Sequence, residues 1–347
     1  MRRVLVTVCC SVLITLPGLC QNLPGDERQT QEHGQARAAL SDSDKQKQVK
    51  STPSDDRRPK MAGSSTGYID NAVVGNQIRF RFDDDFSLRD PDRAEFFYGK
   101  CGCYRNIAAG AAYDPNAPGP GPGVAATANL QELQMNVEYA PTARFSILAE
   151  TPARWIQYPR TTIPGSSGIG DFRAGFKVAL LATDKTFVTF QFRTYFPTGD
   201  ARLGLGTNHY SVEPTILYHQ RLKKRLAVSG QFGDWHPIGG SAGVPISAPG
   251  GFAGDILEYG FGTAYDLVVR EHYRLTPVVE FVGWSVLSGF VTGPANADGS
   301  GVNIVNAKLG ARFSFGKHSS VYAGYGRELT HSSWYRDIFR LEYRLVL

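Results

Sequence analysis

The chain has few cysteines, very few methionines and, outside its first twenty residues, no long apolar run. No stretch of 18 or more apolar residues follows residue 20, so the sequence contains no membrane-spanning helix beyond that point. Five cysteines are present. Cys9, Cys10 and Cys20 lie in the leader, which leaves Cys101 and Cys103 in "KCGCYR". A structural metal site needs four ligands at recognisable spacing, and none accompany this pair. An exported setting favours a local disulfide between them instead. The formal charge of +5 carries no block of lysine and arginine, so nucleic-acid binding is not indicated. A phosphate-cradling glycine loop is also missing, which removes nucleotide-driven transport. No residue pattern calls for a cofactor.

What is present at the N-terminus is an export signal. Arg2 and Arg3 precede the apolar "VLVTVCCSVLITL", and small residues follow near Cys20. This predicts a signal peptide over 1–20, with lipidation at Cys20 as the rival fate of that residue. Residues 21–75 contain "SDSDKQKQVKSTPSDDRRPK" and little to bury, and they read as a disordered tether. An exported chain without a spanning helix is either soluble or crosses a membrane as a barrel.

The 38 glycines, 20 phenylalanines and 16 tyrosines favour strands and turns. From residue 76 to 347, apolar and polar residues alternate with period two. In "TFQFRTYF", Phe190, Phe192 and Phe196 share one face, and Gln191, Arg193 and Tyr195 the other. "DFRAGFKVAL", "LEYGFGTAYDL" and "AKLGARFSF" repeat the pattern, which is that of half-wet strands. About twelve strands are expected. Their links alternate between short ("APTA", "ATDK", "RLKK", "GKHS") and long (87–127, 156–168, 198–207, 237–254, 288–301). Transmembrane barrels have short periplasmic turns, long outer loops and an even strand count. The expected fold is therefore all-β, a single antiparallel barrel of the outer membrane with aromatics toward lipid. "FRLEYRLVL" ends the chain as an alternating closing strand, the feature that barrel-assembly machinery reads, with Leu347 in place of the usual terminal aromatic.

Three segments carry a family resemblance. "GIGDFRAGFKVALL", "FRTYFPTGD" and "LGLGTNHYSVEPTILY" resemble the outer-membrane proteins of the phenol-degradation meta-pathway family, often called transporters. The likeness is good over 168–347 and loose over 76–167. It implies one barrel that passes small molecules, aromatic ones among them. Its motifs are turns, and no catalytic residue comes with them.

Parity assigns the interior. Arg79, Arg81, Arg144, Arg173, Lys177, Arg193, Lys308, Arg312, Arg340 and Arg344 point inward, opposed by Glu132, Glu138, Glu150, Glu213, Glu258, Asp266, Glu280 and Glu342. Arg79, Arg81, Arg173, Lys177, Arg193, Lys308, Arg312, Arg340, Arg344, Glu213, Glu258 and Glu280 are the pore-lining candidates. Closure would bring Arg340 and Arg344 beside Arg79 and Arg81 as a basic wall, which would favour anionic solutes. Cross-strand pairing is the alternative. The His318–Ser320 and His331–Ser333 triplets admit a lipid hydrolase, although neither supplies the orienting third group. A loop-presenting scaffold or adhesin is the remaining alternative. The favoured reading is a passive outer-membrane pore whose partners are lipid, the assembly machinery and a small solute. The sequence leaves the oligomeric state open.

Overall fold

The computed structural model describes residues 63–88, 127–160, 164–200, 203–207, 209–238, 254–291, 297–298, 300–331 and 334–347. Period-two alternation becomes twelve long strands: β1 (Gln77–Leu88), β2 (Ala128–Tyr139), β3 (Phe145–Gln157), β4 (Phe172–Ala182), β5 (Thr186–Phe196), β6 (Tyr210–Arg221), β7 (Leu226–Ile238), β8 (Ile256–Tyr265), β9 (Tyr273–Val286), β10 (Asn303–Phe315), β11 (Ser319–Glu328) and β12 (Asp337–Val346). Each pairs antiparallel with its sequence neighbours, and β12 pairs with β1, so the sheet closes. A short strand, Ser166–Ile169, extends the edge beside β3.

Closure fixes which residues meet. Arg79 lies opposite Arg344, Arg81 opposite Glu342, and Asp83 opposite Arg340. The full register is antiparallel with two irregularities. One, between Asp85 and Leu88 in the β1–β2 pairing, contains Ser87 at a positive φ of 54°. The other, at Ala179–Leu181 in the β4–β5 pairing, places both Leu180 and Leu181 outward, 57% and 43% exposed. An extra residue in one strand breaks the inside–outside alternation, which explains why two successive leucines share a face.

The outer surface is apolar. Phe281, Phe261, Leu309, Phe339 and Leu341 are among its exposed side chains. In water such a surface would drive association. A closed barrel with this exterior satisfies all its backbone bonds within hydrocarbon.

Inside, the expected tether departs from its assignment. Residues 63–75, its last stretch, are ordered within the barrel, and Ser64, Thr66, Tyr68, Ile69, Asn71, Ala72, Val73 and Val74 are buried. They form no strand, and their partners are side chains of the wall together with the segment's own Ser64, Thr66 and Asn71. The reason is composition: "GSSTGYIDNAVVG" looks polar and turn-rich but carries Tyr68, Ile69, Val73 and Val74 for burial. Residues 1–62, including the signal and the rest of the tether, lie outside the described residues, as do Cys101 and Cys103.

The lipid-facing assignment has a direct test. Phe281→Arg puts a guanidinium on the outer face of central β9, where a midplane arginine costs about 2–4 kcal/mol. Urea titration of the protein refolded in vesicles should show that loss. Unaltered stability would place Phe281 away from hydrocarbon.

Candidate functional site in the barrel lumen

The lumen is built around segment 63–75. It starts at Gly63 near Arg344, rises to Tyr68, and returns to Asn76 beside the same short-turn mouth. A loop inside a barrel must find partners for its own backbone groups. The wall provides them. Glu280 on β9 accepts the backbone N–H of Gly67 (3.1 Å), Tyr68 (3.0 Å) and Ile69 (2.8 Å). Tyr322 also donates to Glu280, at 3.2 Å. The carbonyls are taken by cations: Ser64 by Arg344 (2.8 Å), Ser65 and Thr66 by Arg312 (3.1 and 2.9 Å), Gly67 by Arg340 (2.7 Å) and Asn71 by Lys177 (3.0 Å). Ser229 bonds both Ser64 (3.1 Å) and His219 (2.8 Å).

Packing completes the seat. Gly67 lies against the Tyr322 ring, where a Cβ would come within 2.1 Å of the ring carbons; only glycine fits there. Ile69 fills the groove left by Gly260 and Gly262, which are inward-facing on β8. Ala72, Val73 and Val74 cover Ala179, Phe187 and Leu217, which are apolar residues on the inner wall. Tyr68 meets Tyr322 edge-on at 6.1 Å between ring centres.

Each candidate chosen by parity projects inward, and Arg144, also counted inward, does not: it is exposed in the turn before β3. Arg340 forms a two-point pair with Asp83, both contacts at 2.6 Å. Arg79 sits between Glu150 (3.7 Å) and Glu342 (3.8 Å), and Arg81 between Asp83 (3.3 Å) and Glu132 (3.6 Å). Arg344 and Arg312 share Glu342, at 3.0 and 2.8 Å. The four arginines of the seam do gather, but acids lie between them and no free basic wall results. Arg173 lies 3.6 Å from Glu150. Arg193 binds Glu213 at 2.8 Å and also Asp70 of the segment. Lys308 rests 3.8 Å from the centre of the Tyr68 ring and donates to Tyr335 at 2.5 Å. Glu258 lines the upper cavity with Glu213.

Two cavities flank the segment. The one toward the long loops, about 220 Å³, is walled by charged residues below and by Leu88, Leu130, Val282, Trp284, Trp334 and Ile338 above. The other, about 540 Å³, opens at the short-turn mouth.

The triplets take other roles. His318 lies in a turn and its Nδ1 is 2.9 Å from the Val346 carbonyl. Ser319 contacts the Tyr343 hydroxyl (3.1 Å) and Ser320 accepts from Arg312 (3.2 Å). Ser332 and Ser333 are outside the described residues. Asp234, His236 and Asp255 form a small outward group at the rim.

The recognisable turns converge on one carboxylate. Asp171 accepts from Gly199 N (3.0 Å), Thr207 N (2.8 Å) and Thr207 Oγ1 (3.0 Å). Arg154 donates to the Leu205 carbonyl at 2.9 Å and so ties this clasp to the wall. The motifs therefore hold the rim in shape.

A closed twelve-stranded barrel with an apolar exterior and a charged interior is a transmembrane protein of the outer membrane of a two-membrane bacterium. The family model described as "Putative MetA-pathway of phenol degradation" matches residues 131–337, and the chain belongs to that family. Its fold is similar to that of a solved outer membrane channel from Pseudomonas putida F1, at TM-score 0.50 and 14% identity, covering 82% of this chain and 100% of that one. The NanC porin (TM-score 0.43, 8% identity, 79% of this chain and 100% of that one) and the β domain of the Bordetella autotransporter BrkA (0.43, 10%, 79% and 100%) are more distant in shape. No curated protein sequence matches the chain significantly.

Asp70 gives the segment a pH dependence. Burial pushes its carboxyl up, but Arg193, with Arg79 and Lys177 behind it and a hydrogen bond from Gln191, holds it well below the usual range. An undocked segment would titrate near the ordinary value of about 3.9. Docking free energy from this pair is therefore present above that value and is lost as pH falls below it. Protection of the segment's amides from hydrogen exchange, corrected for intrinsic rate, should fall between pH 7 and pH 3, and Asp70→Asn should blunt the fall. An equal response in the variant would assign the pH effect elsewhere.

Proposed function

We propose that the protein is a passive outer-membrane transport protein for small organic solutes, aromatic ones included, and that segment 63–75 is its gate. The observation that carries this reading is the placement of a cavity of about 220 Å³ directly above a segment held only by side chains. A solute entering from the long-loop side meets an apolar, aromatic inner surface first and charged groups next. Below them the segment closes the path toward the short-turn mouth. Because its contacts are not part of the strand ladder, it can leave without opening the barrel. The absence of a nucleotide-binding motif in the sequence fits passive movement, and the shared fold of the Pseudomonas putida channel supports the same reading.

On this reading Lys177, Arg193, Arg312, Arg340, Arg344 and Glu280 of the wall set how tightly the gate is held. Glu280→Ala tests this. It removes the acceptor of three backbone N–H groups, and each buried donor left without a partner costs about 1–3 kcal/mol. The open fraction in single-channel recordings should rise at least about tenfold, since 1.4 kcal/mol is a factor of ten. Silence from both the wild type and the variant, in folded and inserted protein, would favour a scaffold that only displays its loops.

A further inference from the structure

The charges around the upper cavity are not all answered. Arg81, Arg154, Arg173, Arg193 and Arg340 each face a carboxylate within 4 Å. Lys308 is held by the Tyr335 hydroxyl and lies among three rings, 3.8 Å from the centre of Tyr68, 5.0 Å from Tyr335 and 5.7 Å from Trp284. Among the acids, Asp83 is used by Arg340 and Arg81, Glu132 by Arg154 and Arg81, and Glu213 and Asp70 by Arg193. Asp85, two residues along β1 on the same inner face, is different. It lines the cavity, is 7% exposed, and its Oδ1 has no hydrogen-bond partner. No salt bridge reaches it either among the described residues.

We propose that this cavity is a binding site for an organic ammonium ion with an apolar body, anchored by Asp85. A carboxyl group taken out of water without a partner is disfavoured as the anion, and a bound cation restores the ionised form. Tyr68 already carries Lys308 and Arg340, 3.8 and 4.1 Å from its ring centre, and Trp284 and Tyr335 of the same lining add aromatic faces, which attract an ammonium within about 6 Å. Lys308 already demonstrates that fit with the protein's own amine. Leu88, Leu130, Val282 and Ile338 supply an apolar surface for the rest of the solute. A calcium ion would need six or more oxygen ligands, and the neighbouring Asp83 oxygens are committed to Arg340. Among the described residues an anionic solute would meet arginines already paired, Lys308 as the one cation of the lining without a carboxylate within 4 Å, and two carboxyl groups, Asp85 and Glu258, that no cation pairs. The site therefore favours the opposite sign from the one suggested by the arginines of the seam alone.

This inference rests on the transport reading for its purpose, but binding is measured without transport. Calorimetry on the purified, folded full-length protein in detergent would compare 2-phenylethylammonium, 2-phenylethanol and 3-phenylpropionate. The expected order places the ammonium at least about tenfold tighter than the alcohol, with the carboxylate weakest. Asp85→Asn should bring the ammonium down to the affinity of the alcohol while leaving the alcohol unchanged. Equal binding of all three by the wild type, tightest binding of the carboxylate, or an undiminished ammonium affinity in a folded Asp85→Asn protein would overturn the proposal. Should that variant not fold, the order of the three probes on the wild type decides by itself. Charge-selective binding in a protein that never conducts would remove the transport reading and leave the site standing.

Discussion

Everything in the lumen depends on how an irregular backbone is satisfied inside a barrel. Segment 63–75 has no ladder of its own, so each buried N–H and C=O must find a side chain or remain unpaired. Glu280 answers three successive amides, and Arg312, Arg340, Arg344 and Lys177 answer carbonyls. The same cations hold carboxylates of the wall: Arg344 on its own strand, Arg340 on the next, and Lys177 and Arg312 on the next but one. Wall and segment thus form one polar network. A network of this kind is stable only while nearly every member is satisfied, because low dielectric strengthens each bond and raises the penalty of each orphan.

That network separates two kinds of strength. The barrel is held by backbone ladders from β1 round to β12, whereas the segment is held by side chains alone. Loss of the second need not disturb the first. On the proposed reading this difference is the physical basis for a movable closure inside a rigid wall. It also shows why the inner face carries such varied residues: Tyr322 seats Gly67, the glycines of β8 receive Ile69, and Phe187 with Leu217 meets Val73 and Val74.

The strands are legible in the sequence because side-chain alternation has period two and because one face meets lipid. Phe190, Phe192 and Phe196 stand outward and Arg193 inward, as their spacing requires, and the alternation of short and long links follows the chain up and down the barrel. The inward direction of Arg79, Arg81, Arg340 and Arg344 is legible too; their ion partners depend on register. The segment is hidden because a stretch of glycine, serine, threonine and asparagine resembles a solvated linker. Signals for it do exist on the strands. Ala179, Phe187 and Leu217 have inward parity, and an apolar group facing a wet lumen needs a cover. Gly260 and Gly262 likewise leave room on an inner wall for something to occupy. Those positions together point to an internal element, although not to which part of the chain supplies it. The turn motifs that carry the family likeness are plain in the sequence but serve the rim, where Asp171 gathers them.

The central claim is that the segment must move for a solute to pass. Ser64 Oγ and Ser229 Oγ lie 3.1 Å apart, so cysteines at both positions can join the segment to β7. The measurement is single-channel current through Ser64→Cys/Ser229→Cys protein, with Cys101 and Cys103 replaced by serine, before and after addition of a reductant. The account predicts that the oxidised protein is closed and that reduction restores current to the level of the serine-replaced parent. Equal current in the oxidised and reduced protein, with the disulfide verified by mass spectrometry, would contradict it.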